Sequence, residues 1–99
     1  MLEKDIEDWL TVKVEELGGM SLKFVSPGKP GVPDRIYIFP GGEVWFVELK
    51  QQLGRMSNIQ KYWRELLINV GCNYLLIKGM KDAKEYVKDM RKKYQRKVG

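Results

Sequence analysis

Apolar residues recur along this chain with two different spacings, and the change of spacing separates helices from strands. In residues 2–17 they recur every three or four positions, as on one face of an amphipathic helix, until a Gly-Gly pair ends the run. Residues 33–39 and 43–50 are instead rich in β-branched and aromatic residues, which is typical of strands. The Pro-Gly-Gly segment 40–42 between them predicts a hairpin turn.

The same patterns predict the remaining elements. Residues 22–25 are expected to form a first strand, and residues 73–78 a buried fourth strand. Ser57 is a suitable N-cap for a helix that runs to about Val70, and a last helix is expected over 81–95. The predicted order is α-β-β-β-α-β-α, and the whole chain is expected to form one α/β domain.

The hairpin brings two acidic residues together if its turn has three residues. With a turn at residues 40–42, counting outward along the two strands places Asp34 opposite Glu48. Side chains alternate along a strand, so Lys50 shares the face of Glu48. A two-residue turn would instead pair Asp34 with Leu49 and scatter the group. Like charges directly opposite each other destabilise a sheet, so the three-residue register predicts a cation between the carboxylates.

Histidine is absent from the sequence, which excludes an imidazole base, a Ser-His-Asp or Cys-His constellation and a zinc site with histidine ligands. Hydrolytic chemistry would therefore depend on carboxylates, a lysine and a hard metal ion. Asp34 and Glu48 suit Mg²⁺ or Mn²⁺, the backbone carbonyl of Leu49 can supply a further ligand, and Lys50 can orient or deprotonate an attacking water. A structural salt bridge is the alternative, but it leaves Asp34 unused.

The net charge of +5 is unevenly distributed, because residues 88–97 alone carry a net +5. Cations near a helix C-terminus complement the helix dipole, and a cationic cluster also suits a polyanion, so both explanations stay open. Charged residues make up 31% of the chain, which is typical of a soluble protein. No apolar run approaches the roughly 18 residues of a membrane span, and the N-terminus lacks signal-peptide features. A cytoplasmic location is expected.

Three short motifs together resemble a known family. Gly-Val-Pro-Asp at 31–34, Glu-Leu-Lys at 48–50 and Ser-Asn-Ile-Gln at 57–60 resemble the PD-(D/E)xK nuclease pattern. More narrowly, they resemble the virus-type replication-repair nuclease domain, VRR-NUC, which is related in fold to Holliday junction resolvases. The resemblance covers nearly the whole chain. It implies a restriction-endonuclease-like α-β-β-β-α-β core with a C-terminal helix and a mixed sheet flanked by helices.

The resemblance also implies an activity. The expected protein is a Mg²⁺- or Mn²⁺-dependent endonuclease that hydrolyses phosphodiester bonds in branched DNA or Holliday junctions and acts as a homodimer. By resemblance, Asp34 and Glu48 would bind the metal, Lys50 would be catalytic and Gln60 would support the site. A phage or mobile-element origin is also implied, with the host cytoplasm as the location. A non-catalytic nucleic-acid-binding module with a nuclease-like fold, or an interaction domain, remains an alternative.

Such nucleases usually carry one more acidic residue on the first helix, and the candidates here are Glu3 and Glu7. On a helical wheel Glu3 lies about 50° from the centre of the apolar stripe and Glu7 about 90°. Glu3 is therefore expected to join the site and to reach the metal directly or through water. Contacts to nucleic acid are expected from cationic side chains. These are Lys29, Arg35, Arg55, Lys61, Arg91, Lys92 and Lys93.

Overall fold

The computed structural model describes residues 2–95, and its elements follow the predicted order. They are α1 (Glu3–Glu16), β1 (Met20–Lys23), β2 (Arg35–Phe39), β3 (Glu43–Lys50), α2 (Asn58–Asn69), β4 (Asn73–Lys78) and α3 (Gly79–Tyr94). The α/β class with a mixed sheet flanked by helices is confirmed. Arg96 and Lys97 of the predicted basic tail lie outside the described residues. Among the described residues, none of the helices is both long enough and apolar enough to cross a membrane.

The four strands form one sheet in the order β1-β2-β3-β4. The first three strands are antiparallel, whereas β4 runs parallel to β3. A parallel pair needs a crossover connection, and α2 supplies it. As a result, the C-terminal ends of β3 and β4 lie side by side at one end of the sheet, together with the start of β2.

The hairpin turn has three residues, as the first of the two registers requires. Phe39 is the partner of Glu43, and the N–H of Gly42 donates to the carbonyl of Phe39 over 3.0 Å. Gly41 and Gly42 both have φ of 87°, a left-handed conformation that glycine adopts without steric cost. The glycine pair therefore fixes the register on which the acidic cluster depends.

The hydrophobic core lies on one face of the sheet, under α1 and α3. It is formed by side chains of α1, of the three strands β2 to β4 and of α3 that are almost fully buried. They are Ile6, Leu10, Val14, Tyr37, Phe39, Val47, Leu49, Ile77, Ala83, Tyr86, Val87 and Met90. The opposite face carries α2, none of whose residues is fully buried. Thus one face of the sheet stabilises the fold, and the other face is left more open.

Some boundaries differ from the predictions. β1 begins at Met20, two residues before the expected start, because its register is set by pairing of Met20 with Ile38 and not by its own weak pattern. β2 begins at Arg35, since the preceding Pro33 has no N–H for the ladder. α3 begins at Gly79, where the carboxylate of Asp82 accepts the N–H of Lys78 over 3.0 Å.

Candidate active site

Two carboxylates face each other where β2 begins and β3 ends. Arg35 is the partner of Val47, so the next step along the antiparallel pair sets Asp34 opposite Glu48. The Oδ2 atom of Asp34 accepts the backbone N–H of Leu49 over 2.7 Å. Glu48 is only 1% exposed and is the one buried charged side chain among residues 2–95. The structure therefore brings together the acidic pair that the register argument predicted.

Lys50 and Gln60 complete this cluster from two directions. The Nζ atom of Lys50 lies 3.8 Å from the Oε2 atom of Glu48, on the same face of β3. Gln60 reaches the same oxygen from α2, where its Nε2 donates to Glu48 over 3.2 Å. Its other amide atom, Oε1, accepts the N–H of Ser57, and the Ser57 hydroxyl accepts the N–H of Gln60. This capping box fixes the start of α2 and holds the Gln60 side chain towards Glu48.

Electrostatics in the cluster oppose a fully ionised pair. Burial raises the pKa of Glu48 to about 8, a hydrogen bond with Asp34 and the charge of Asp34 add to the rise, and Lys50 counteracts it. Removing a carboxylate from water disfavours its charged form, and a neighbouring like charge disfavours it further. An added cation would reverse both effects.

The loop before Asp34 is held against α2 by contacts that the sequence did not reveal. The indole N–H of Trp63 donates to the carbonyl of Pro30 over 2.9 Å. Gly31 has φ of 87°, and a Cβ atom built there would lie 2.7 Å from a side-chain carbon of Ile59. Only glycine permits this close approach. The Gly-Val-Pro-Asp motif therefore serves to bring the chain down onto α2 and to direct Asp34 towards β3.

The structure distinguishes the two candidate acids of α1. Burial raises the pKa of Glu3, and the charge of Asp34 adds to this rise while Lys50 opposes it, so Glu3 lies within electrostatic reach of the cluster. Glu7 instead forms an ion pair with Arg35 at 3.3 Å. The charge of Glu3 therefore interacts with the acidic pair, whereas Glu7 neutralises a neighbouring cation.

Three helices begin around the cluster. Glu3 is the first residue of α1, Gln60 lies in the first turn of α2, and α3 begins directly after Lys78, the partner of Lys50 on the neighbouring strand. Helix N-termini carry partial positive charge and unpaired N–H groups, which favour anions. The site therefore combines one buried and one partly buried carboxylate with surroundings suited to a phosphate group.

The donor set suits a hard divalent ion held by few protein ligands. Within residues 2–95, no three acidic or cysteine side chains are grouped closely enough to hold an ion by themselves. Asp34 and Glu48 supply carboxylate oxygens. Because the N–H and C=O of one strand residue point to the same side, the carbonyl of Leu49 also faces Asp34. Two carboxylates and one carbonyl match the preference of Mg²⁺, which keeps several waters.

A solved structure described as a VRR_NUC domain shares this fold. Its TM-score is 0.81 with 25% sequence identity, and the alignment covers 87% of this chain and 94% of that chain. In fold and sequence, this chain is similar to a VRR-NUC domain. Among curated proteins, "Putative nuclease p44" of Acyrthosiphon pisum secondary endosymbiont phage 1 is 50% identical over 48 residues. That match spans 48% of this chain and 52% of the phage protein, about half of each. No family model matches the chain.

The cations expected to contact nucleic acid fall into three groups according to their position and partners. Lys29, Arg55 and Lys61 are exposed on segments next to the acidic cluster. Arg35 is half-buried and engaged by Glu7. The remaining cations lie near the end of α3, at the opposite end of the sheet. They are Arg91, Lys92 and Lys93.

One contact shows how far the cations at the end of α3 lie from the acidic cluster. The Nζ atom of Lys93 lies 2.6 Å from Glu43, the first residue of β3. Glu43 precedes Glu48 by five residues of extended strand, which is roughly 17 Å. The hydrogen bond from Lys93 holds the pKa of Glu43 below its usual range. Lys93 is therefore occupied by a local partner, far from the acidic cluster.

Two further residues that lie near the site, Lys78 and Tyr74, were not predicted from the sequence. Lys78 is the partner of Lys50 across the parallel β3–β4 pair and adds a second ammonium at this end of the sheet. Tyr74, two positions from the partner of Glu48, has a buried hydroxyl with no hydrogen-bond partner within residues 2–95. Burial raises the pKa of Tyr74 to about 12, and the charge of Glu48 adds to the rise. Both positions follow from a parallel register that the sequence does not determine.

Proposed function

We propose that this chain is a metal-dependent endonuclease domain that hydrolyses phosphodiester bonds in DNA. The observation that supports it most strongly is the buried Glu48, which faces Asp34 and contacts both Lys50 and Gln60. A structural salt bridge accounts for Glu48 and Lys50 only. Similarity to a VRR-NUC domain and the name of the phage relative agree with a nuclease.

Asp34, Glu48 and the Leu49 carbonyl are the groups that would hold the ion. A bound Mg²⁺ or Mn²⁺ would polarise the phosphate and lower the pKa of a water ligand. Lys50, as an ammonium, would hold the attacking water in line with the phosphorus and stabilise the hydroxide that forms when this water releases its proton to solvent. Gln60 keeps the carboxylate of Glu48 in one orientation, and Glu3 adds negative charge at the edge of the site. The starts of α1, α2 and α3 would stabilise the charge that develops on the phosphate oxygens.

We further propose that the substrate is branched DNA and that the active form is a homodimer in the cytoplasm of a phage-infected host. The dimer is supported by an exposed apolar stripe along α2. Its members recur at helical spacing, with exposures from 37% to 75%. They are Ile59, Tyr62, Leu66 and Val70. A symmetric pair would bury such a stripe against its own copy and give two cutting sites for two strands.

The experiment is cleavage of a four-way junction, a linear duplex and a matched RNA duplex, each with Mg²⁺, Mn²⁺ or EDTA. The proposal expects cutting only with a divalent ion, fastest on the junction, and loss of cutting in Asp34→Asn and Lys50→Gln. Undiminished cutting in both variants would contradict the assigned site.

A non-catalytic nucleic-acid-binding module is the second candidate. It is favoured by the engagement of Asp34 with the N–H of Leu49, which satisfies one carboxylate oxygen without any ion. Under that reading the wild type binds DNA equally well in EDTA and in Mn²⁺, and cuts none of the three substrates. The same cleavage series therefore separates the two candidates.

A further inference from the structure

Four lysines lead away from the site along α3. Lys78 is the strand partner of Lys50, and Lys81, Lys84 and Lys88 follow with the spacing of one helix flank. We call these four residues, 78, 81, 84 and 88, the lysine track. The last three line a groove of about 410 Å³ and have exposed side chains. The track therefore begins beside the proposed catalytic lysine and continues over the surface.

The lysine track lacks acidic partners. Within residues 2–95, none of its four ammonium groups lies within 4.0 Å of a carboxylate, whereas six of the other twelve lysines and arginines in this range are paired. The paired ones are Lys4, Lys13, Arg35, Lys50, Arg64 and Lys93. The acids Asp82 and Asp89 of α3 line a different groove, beside β4. Two acids of α3 therefore lie on the flank away from the track, whereas Glu85 lines both grooves and is the one acid beside the track lysines in the 410 Å³ groove.

The helix itself does not explain the arrangement. Lys81 lies in the first turn of α3, where the helix dipole disfavours a cation. Lys84 and Lys88 stand four residues apart, and like charges at that spacing repel each other. The dipole explanation accounts for the cations at the end of α3, but it fails for the track at its beginning. A row of repelling, unpaired cations fits a polyanion as its partner.

We propose that the lysine track binds the phosphate backbone of the double-stranded arm that leaves the active site. This inference rests on the proposed nuclease function and identifies where its substrate lies. From Lys78 to Lys88 the track is roughly 15 Å long, which matches about four phosphates of one strand at 3.4 Å each along the duplex. Asp82 and Asp89 on the other flank of α3 repel the backbone, so that flank is a poorer binding surface than the track.

The test is the salt dependence of binding to a linear DNA duplex in EDTA, measured by fluorescence anisotropy over a series of KCl concentrations. Each phosphate contact contributes about 0.9 to the slope of log affinity against log salt. Lys84→Gln/Lys88→Gln should lower the steepness by about 1.8 and weaken binding roughly 10- to 100-fold near 0.1 M KCl. Lys84→Arg/Lys88→Arg should restore both values.

The matched control is Lys4→Gln/Lys13→Gln, which removes the same charge from α1, where both lysines are already paired with acids. It should leave the slope and the affinity close to wild type. Equal losses of slope and affinity in Lys84→Gln/Lys88→Gln and in Lys4→Gln/Lys13→Gln would contradict the proposed role of the lysine track, since total charge alone would then control binding. Tighter, lysine-dependent binding to phosphatidylserine vesicles than to the duplex would also overturn it, in favour of a membrane surface.

The failure of this inference and that of the proposed function give different results. If the wild type binds and cuts DNA, but Lys84→Gln/Lys88→Gln keeps the wild-type slope, the track is wrong and the nuclease stands. If the wild type neither binds nor cuts any DNA, both are wrong. Thermal unfolding of each variant shows that the exposed substitutions leave the fold intact.

Discussion

Asp34 accepts the backbone N–H of Leu49 over 2.7 Å, so the strand that carries Glu48 also positions the carboxylate opposite it. Pro33 has no N–H to donate to β3, and the regular ladder ends at Arg35. The side chain of Asp34 takes over the acceptor role. One carboxylate oxygen thereby becomes structural, and the other remains for a ligand.

Replacement of Asp34 separates these two roles. Asp34→Asn keeps an acceptor for Leu49 but removes the negative charge, so we expect a retained fold and cleavage reduced at least about 100-fold. Asp34→Leu removes the acceptor as well and should lower the unfolding free energy by a further amount of about 1–3 kcal/mol. Urea unfolding in EDTA and cleavage in Mn²⁺ measure the two effects. Equal unfolding free energies for the two variants would show that the hydrogen bond contributes nothing.

Gln60 has a cap role and a site role, and Ser57 shares only the first. Gln60→Ala and Ser57→Ala should each cost about 1 kcal/mol, because each breaks half of the capping box. Only Gln60→Ala also loses the donor to Glu48, so it should slow cleavage roughly 10- to 100-fold more. Urea unfolding and single-turnover cleavage measure the two losses. Similar rates for the two variants would assign Gln60 to the helix cap alone.

The sequence predicted the hairpin and the capped helix because their signals are local. The glycine pair after Pro40 limits the turn, and the turn determines the pairing of Asp34 with Glu48. Ser57 and Gln60 form their box within one helical turn. The residues that specify the turn and the helix cap therefore lie within those elements or directly beside them.

Long-range relations could not be predicted in the same way. The partnership of Lys50 with Lys78 depends on a parallel register across α2, which no turn specifies. The contact of Gly31 with Ile59 joins a loop to a helix, and neither partner has a sequence signal for it. β1 was misplaced by two residues because an exposed edge strand has little hydrophobic pattern.

Without metal, the stability of the fold should fall as the pH rises. The pKa of Glu48 increases from 4.5 to about 8 on folding, so the favourable contribution of its protonated form is complete below about pH 4.5. It is lost as the pH rises through 8, with a slope of at most about 1.4 kcal/mol per pH unit. Urea unfolding in EDTA over this range measures the slope.

Glu48→Gln cannot ionise, so it should flatten this pH dependence. Glu3 has its pKa raised as well and contributes in the same direction, so Glu3→Gln should remove a smaller part of the slope. Mn²⁺ at alkaline pH should raise the unfolding free energy of the wild type and have a much smaller effect on Glu48→Gln, which has lost a charged metal ligand. A slope that persists in Glu48→Gln/Glu3→Gln would assign it to other groups.

The apolar stripe of α2 predicts a charge-sensitive dimer. Leu66→Glu places a carboxylate in the middle of the stripe and should convert the dimer to a monomer, because an interface would have to bury that charge. Val12→Glu is the control, since Val12 is also an exposed apolar residue of a helix but lies on α1. Light scattering after size-exclusion chromatography gives the mass. A wild type that is already monomeric, or a monomer produced by both variants, would contradict an α2 interface.

Gly31 limits how closely the loop that carries Asp34 can approach α2. Gly28 and Gly31 both have positive φ, of 79° and 87°, but only at Gly31 would a Cβ atom meet Ile59. Gly28→Ala should therefore cost only the left-handed conformation, about 1–2 kcal/mol. Gly31→Ala should cost that amount and about 1–3 kcal/mol more, and cleavage should also fall because Asp34 moves with the loop.

The second cost at Gly31 can be tested by removing its cause. Ile59→Ala deletes both side-chain carbons that lie within 2.8 Å of the added Cβ. The double variant Gly31→Ala/Ile59→Ala should therefore lose less unfolding free energy than the sum of the losses in the two single variants. Urea unfolding of the four proteins in this cycle gives the coupling energy, and cleavage rates show whether Asp34 returns to its place. Strictly additive costs would mean that the loop avoids Ile59 in the variant, and that the glycine is required for its backbone conformation alone.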